Sequence, residues 1–314
     1  MSGIAQQNAA LDALYQNFNA GFQDGFQNLL DEYGRPWWSQ VAMELPSDTD
    51  EEVHGWIQQI PGVREWLGDR ILHALSEAAY RLKNRPFEDT VQVSKDRIAD
   101  RKIAADTVLM RMLGYQFAKF PDRTIATELL TGYATRKCWD GKAMFATDHP
   151  VDPLDASKGT FSNLNASGMG LTAANFDTVF SAMSQFKNAD GNLLGVVPDT
   201  LIVPPQLRTT AHLIAKAAYV PNSGGTATQS NPNEGTVDVI MLPELGTEAT
   251  TWYLAKLKGP LKPLIYQNRE DAVFELVFGP DSDHCKKTRN LAWGADCRAA
   301  FGYTLPQLMV RSTA

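Results

Sequence analysis

Cys138, Asp140, Asp148 and His149 stand close together in the stretch Arg136-Lys-Cys-Trp-Asp-Gly-Lys-Ala-Met-Phe-Ala-Thr-Asp-His-Pro150. A thiol, a base and an orienting carboxylate are the groups that a cysteine hydrolase brings together. That chemistry needs all three to meet in space, and neighbours such as Asp148 and His149 do not orient one another by adjacency. None of the local signatures that accompany nucleophilic cysteines surrounds Cys138. The stretch reads better as architecture: a turn at Asp140-Gly141 followed by a strand, with Asp148-His149-Pro150 hydrogen-bonding the loop that follows. On this reading no catalytic residue is assigned. A soluble hydrolase using Cys138 and His149 is the alternative from a different class.

His284-Cys285, with Asp281 and Asp283 beside it, is the other place where ligand types gather. A structural zinc site shows four N/S ligands at recognisable spacings. Five scattered histidines and the three cysteines, Cys138, Cys285 and Cys297, form no such set and no CxxC pair. Asp190-Gly-Asn and Asp281-Ser-Asp lack the remaining positions of an EF-hand loop, and no glycine-rich phosphate cradle is present. No metal and no cofactor is expected, the cysteines read as free structural thiols, and the lack of site chemistry points towards a structural role.

A chain of 314 residues that is 44% hydrophobic and 21% charged can bury a large core and nears the size at which cores divide. No apolar stretch approaches the roughly 18 residues of a membrane span, and Met1-Ser-Gly-Ile-Ala-Gln-Gln-Asn lacks a secretory pattern, so a cytoplasmic chain is expected. A net charge of −7 argues against a protein that grips phosphate. Its densest basic group, from Arg81 to Lys102, is interrupted by Glu88, Asp89, Asp96 and Asp100, a mixed surface able to pair with its own copies.

Hydrophobic spacing places the elements. Leu11, Leu14, Phe18, Phe22, Phe26, Leu29 and Leu30 predict an amphipathic helix with an amide-rich outer face. Gly21 and Gly25 weaken it by about 1 kcal/mol each, so it needs a partner, either a neighbouring subunit or its own core. Thr49 and Glu52 have the spacing of a capping box and predict a short helix through Val53, Trp56, Ile57 and Ile60. Residues 78–83 and 87–93 alternate in character and predict two strands joined at Asn84-Arg85-Pro86. Such an arm is too small to stand alone, and its exposed edges favour another subunit. Ile103, Thr107, Met110, Leu113 and Phe117 predict a long helix interrupted near Pro121, and residues 151–170 a loop. An α/β section follows: a helix stripe from Phe176 to Phe186 capped by Thr172, a strand at 200–203, a helix over 207–218 and a mobile loop over 219–235. Strands at 237–242, 251–257, 264–266 and 272–278 complete a mostly antiparallel sheet, and closing strands occupy 289–311. The class is α+β, without internal repeats.

The string Trp139-Asp-Gly-Lys-Ala-Met-Phe-Ala-Thr-Asp-His-Pro150 resembles a segment of the major head (gpT) proteins of Mu-like bacteriophages. So do Gly62-Val-Arg-Glu-Trp-Leu-Gly-Asp-Arg70, Tyr80-Arg-Leu-Lys-Asn84 with Phe87-Glu88, Val91-Gln-Val-Ser94, Pro198-Asp-Thr-Leu-Ile-Val-Pro-Pro205 and Gly302-Tyr-Thr-Leu-Pro-Gln-Leu308, in the same order. That family is similar to the tailed-phage capsid proteins of the HK97 fold. The resemblance implies an N-terminal arm (1–61), an E-loop (62–100), a peripheral domain with a spine helix (101–170), an inserted axial domain (171–288) and closing strands (289–314). It implies a major capsid protein and no enzyme. Copies would form hexamers and pentamers of an icosahedral shell that encloses packaged DNA non-specifically. Scaffold, protease, portal and possible decoration proteins would be its partners, with no membrane, in the host cytoplasm during assembly and then in the virion. Trp66, Tyr80, Arg81, Lys83, Arg85, Phe87 and Glu88 are the subunit-interface candidates. Some relatives of the fold join Lys to Asn covalently; no such link is expected of Lys83 and Asn84. An encapsulin-like nanocompartment that encloses enzyme cargo is the nearer alternative.

Overall fold

The computed structural model describes residues 2–33, 36–54, 80–100, 102–152, 155–188, 191–221 and 228–314. Trp66, the string from Gly62 to Arg70, the helix expected through Trp56 and Ile60, and Asp190 lie outside these residues. Apolar side chains on alternate positions build two long strands, Leu264–Phe278 and Asn290–Tyr303, paired antiparallel with register shifts near Glu270 and Leu276. Ala42–Pro46 adds to the first in parallel and Arg85–Ser94 to the second antiparallel, giving a four-stranded sheet. Residues 264–266 and 272–278, expected as two strands of one sheet with 237–242 and 251–257, are therefore one strand of a different sheet.

Phe274, Trp293, Ala295 and Cys297 form an apolar face on this sheet, which the first helix (Ser2–Tyr33) and the spine helix (Ala104–Thr127) cover. Phe18 meets Trp293 edge-on at 5.0 Å and Phe22 stacks on Phe274 at 5.2 Å. The helix backbones touch where they cross. A Cβ on Gly25 would stand 1.9 Å from the carbonyl oxygen of Arg111, and one on Gly114 2.0 Å from that of Phe22. The glycine that weakens an isolated helix is thus what lets this one dock, and of the two partners open to it the helix occupies its own core.

The spine helix runs through Pro121, and the interruption expected there falls instead at a π-helical turn, Glu128–Gly132. A Cβ on Gly132 would lie 2.3 Å from Glu128 Oε2, so the glycine gives the carboxylate room to fold back over the turn.

Two expectations for residues 49–94 are corrected. Tyr80–Lys83 and Arg85–Ser94 do not pair with each other: the first pairs with Glu51–His54 and the second with Asn290–Tyr303. Asn84 between them is no exposed tip. Its Nδ2 donates to Ser47 Oγ and to the Thr49 carbonyl, both at 2.8 Å, and its Oδ1 accepts from Gln267 Nε2 at 2.8 Å. Glu52 caps a turn rather than a helix, accepting from the N–H groups of Asp48 and Thr49 and the hydroxyls of Ser47 and Thr49. These bonds hold its carboxyl down at about 2.

The second sheet runs in the order Asp238–Met241, Thr200–Val203, Trp252–Ala255, Met309–Ser312, Leu164–Asn165. Its pairings are mixed, parallel at both edges and antiparallel inside, where a mostly antiparallel sheet was expected. Helices Ala173–Ser184, capped by Thr172 as predicted, and Arg208–Ala215 pack on it. Residues 219–235, read as loop, contain a short ribbon of Tyr219–Pro221 and Thr228–Ser230. No described helix is long and apolar enough to cross a membrane.

Gly25→Ala should lower the unfolding free energy by about 1–3 kcal/mol through overpacking, although alanine favours an isolated helix by about 1 kcal/mol. Equilibrium denaturation measures it, and an unchanged or raised midpoint would mean that the helices do not cross there.

Candidate functional site

The turn expected at Asp140-Gly141 is present. Cys138 N–H donates to the Lys142 carbonyl at 2.8 Å and Gly141 N–H to that of Cys138 at 3.0 Å, with Gly141 at φ +75°, where glycine carries no Cβ penalty. Asp140 Oδ1 accepts from Lys142 N–H at 3.0 Å, and Asp140 Oδ2 faces His149 Nδ1 at 2.6 Å. The other ring nitrogen of His149 faces the Met144 carbonyl at 3.2 Å. The side chains of His149 and Asp140 are 0% and 1% exposed, and Phe161 stacks on the imidazole at 5.2 Å. His149–Pro150 then pairs with Thr160–Phe161, the loop contact that was expected.

This arrangement braces a loop and does not activate a nucleophile. Both imidazole nitrogens are engaged within it. Cys138 Sγ lies 3.8 Å from Met144 Sδ, and burial pushes its thiol well above the usual range, with the charge of Asp140 adding to the effect. Asp148, the sequence neighbour of His149, instead pairs with Lys142 at the surface. At the second candidate, Cys285 is buried and His284 stacks on Phe278 at 4.6 Å. No group of three or more potential metal ligands gathers among the described residues.

Two further braces escaped the sequence. Asn163, fully buried, accepts from Ala146 N–H and donates to the carbonyls of Met144, Pro306 and Met309 at 2.8–3.2 Å. Nothing distinguishes it in sequence from its polar neighbours. At the π-turn, Glu128 accepts from Tyr303 Oη at 2.7 Å and pairs with the Arg136 guanidinium at 2.9 Å, while Arg136 also donates to the Phe301 carbonyl. This cluster ties the end of the spine helix to the last long strand.

The interface candidates divide. Arg81, Lys83, Arg85 and Glu88 are exposed, with Arg81 paired to Glu51 at 3.2 Å and Lys83 to Asp50 at 3.5 Å. Phe87 is half-buried, 4.5 Å from Phe120 by ring centroids. Tyr80 is only 7% exposed and accepts from Tyr303 N–H, so its side chain belongs to the core. Asp122, on the spine helix, accepts from Trp38 N–H at 2.8 Å, and burial beside Glu244 raises its carboxyl to about 6.

The long hairpin sheet, the spine helix and the second mixed sheet make up the HK97-type architecture of tailed-phage capsid proteins. A chain in the procapsid of bacteriophage JBD30 is similar with a TM-score of 0.56 and 25% identity, covering 98% of this chain and 75% of that one. The family of Mu-like prophage major head subunits, gpT, matches residues 11–171, 164–245 and 244–314, and the chain belongs to it. A FluMu prophage major head subunit of Haemophilus influenzae is 30% identical over 52% of each chain. The major capsid protein of Escherichia phage Mu is 30% identical over 51% of this chain and 50% of its own length. These matches span about half the length of the two relatives.

A thiol-directed probe at neutral pH should leave Cys138 unlabelled in the folded protein and label it after denaturation, since the buried thiol is protonated; rapid native labelling, read by peptide mass, would reopen the hydrolase alternative. Folding raises the Asp122 carboxyl from 3.8 to about 6, so its contribution to stability is fully present below about pH 4 and is lost as pH rises through about 6. Asp122→Asn, which keeps an acceptor for Trp38, should flatten stability against pH across that window, measured as unfolding midpoints.

Proposed function

We propose that this chain is the major capsid subunit of a tailed bacteriophage, whose copies close into hexamers and pentamers of an icosahedral shell. The observation that carries the reading is the family match running from residue 11 to residue 314 in order, over a fold shared with the JBD30 procapsid. Its work is assembly rather than catalysis. Many identical contacts, each modest, close the object cooperatively. DNA is enclosed without being gripped, in keeping with a net charge of −7. Scaffold, protease, portal and decoration proteins are its partners, and assembly takes place in the host cytoplasm before the subunit becomes part of the virion. The hairpin sheet with the spine helix forms the peripheral part, and the second sheet with its helices the axial part.

The interface candidates Trp66, Arg81, Lys83, Arg85, Phe87 and Glu88 contact neighbouring copies, with the ribbon Glu51–His54/Tyr80–Lys83 as the base of the intersubunit arm. Asn84, held by three internal hydrogen bonds, is not offered for covalent linkage to a neighbour. The family match favours a genome over enzyme cargo and so the capsid over the nanocompartment.

Electron microscopy of the chain co-expressed with its scaffold should show closed, uniform shells; monomers and small oligomers alone would overturn the reading. His54 and Tyr80 are register partners, so a short glycine-rich link can replace residues 55–79 without straining the ribbon. That variant should fold and form no shells, and normal shells from it would remove the arm from the assembly mechanism.

A further inference from the structure

We propose that successive copies meet head to tail through charge, the basic cleft beside Trp139 in one copy receiving the acidic patch of Glu88 and Asp296 in the next. The proposal rests on the shell reading and names one contact within it. A cleft of about 450 Å³ opens between the strand Tyr80–Lys83, the start of Arg85–Ser94 and the turn after Arg136. Arg81, Lys83, Arg85, Arg136 and Lys137 line it, and among the described residues no carboxylate does. Glu51, Asp50 and Glu128 already pair with Arg81, Lys83 and Arg136. Arg85 and Lys137 are exposed, and among the described residues neither has an ion-pair partner. Trp139 supplies apolar surface to the same wall. A surplus of two exposed cations in a basic cleft is a site for carboxylates.

The same subunit carries the complement. Glu88 and Asp296 stand directly opposite each other on Arg85–Ser94 and Asn290–Tyr303. Both are exposed, and among the described residues neither pairs with a cation. Like charges in that position destabilise a sheet, and an incoming cation relieves the repulsion. One copy cannot satisfy itself. Arg85 and Glu88 are three residues apart on one strand, hence roughly 10 Å apart along it and on opposite faces, about one screening length in physiological salt. Two different patches on one molecule make a heterologous contact, the kind that closes rings when its rotation allows. Charge pairs at such a contact set register and partner choice more than raw affinity.

The test uses three full-length variants beside the parent: Arg85→Glu with Lys137→Glu, Glu88→Lys with Asp296→Lys, and all four together. All four positions are at the surface, and unfolding midpoints check that each variant folds. Each double variant should lower the yield of closed shells by about tenfold or more, the loss of at least one charge pair's worth of contact, and the quadruple variant should recover most of the parent's yield. Double variants that assemble like the parent would overturn the contact. So would a quadruple variant no better than the doubles, the result expected if the cleft takes DNA phosphate or another anion. Failure of the parent itself to form shells would sink the shell reading and this contact with it.

Discussion

Everything else in the fold accommodates one segment, Asn290–Ser312. Its first part pairs on one side with Leu264–Phe278 and on the other with Arg85–Ser94. It then leaves that sheet, and Met309–Ser312 inserts between Trp252–Ala255 and Leu164–Asn165 of the second. Two successive strands, one in each sheet and joined by only five residues, tie the sheets together through the chain itself. Tyr303, the last residue before the crossing, is fully buried and reaches Glu128 at the end of the spine helix. The two sheets and the spine helix are therefore fastened at one point.

Irregular backbone around that point needs satisfying where no ladder runs. Three polar braces do this: Glu128 with Arg136 and Tyr303, Asp140 with His149, and Asn163 with its four backbone partners. Buried charges in such braces are costly to desolvate and are weak evidence of added stability. Their value lies in geometry. Each joins segments that share no strand or helix, so each restricts how those segments can be arranged.

Elements whose character is local were legible in the sequence. The helix capped by Thr172, the strand Thr200–Val203 and the first half of the spine helix followed from periodicity and capping, because local interactions define them. Pairing was not legible. Residues 80–83 and 87–93 alternate whichever partner they take, and Asn84-Arg85-Pro86 has turn chemistry, yet the chain passes there from one ribbon to a different sheet. Glycine 25 read as a weakness because its helix was considered alone; its use appears only with Arg111 opposite. In the loop after Arg136 adjacency argued against Asp148 as the partner of His149, but nothing in the spacing singled out Asp140, which the fold selects. The partner of a side chain is a tertiary fact, and single-sequence spacing carries little of it.

The sharing of one segment between sheets has a consequence during translation. Arg85–Ser94 leaves the ribosome long before Asn290–Tyr303, its ladder partner, exists. At about 5–20 residues per second the roughly 200 intervening residues take on the order of 10–40 s to make. Throughout that interval the strand's hydrogen-bonding groups lack their native complement, and such unpaired edges are aggregation hazards.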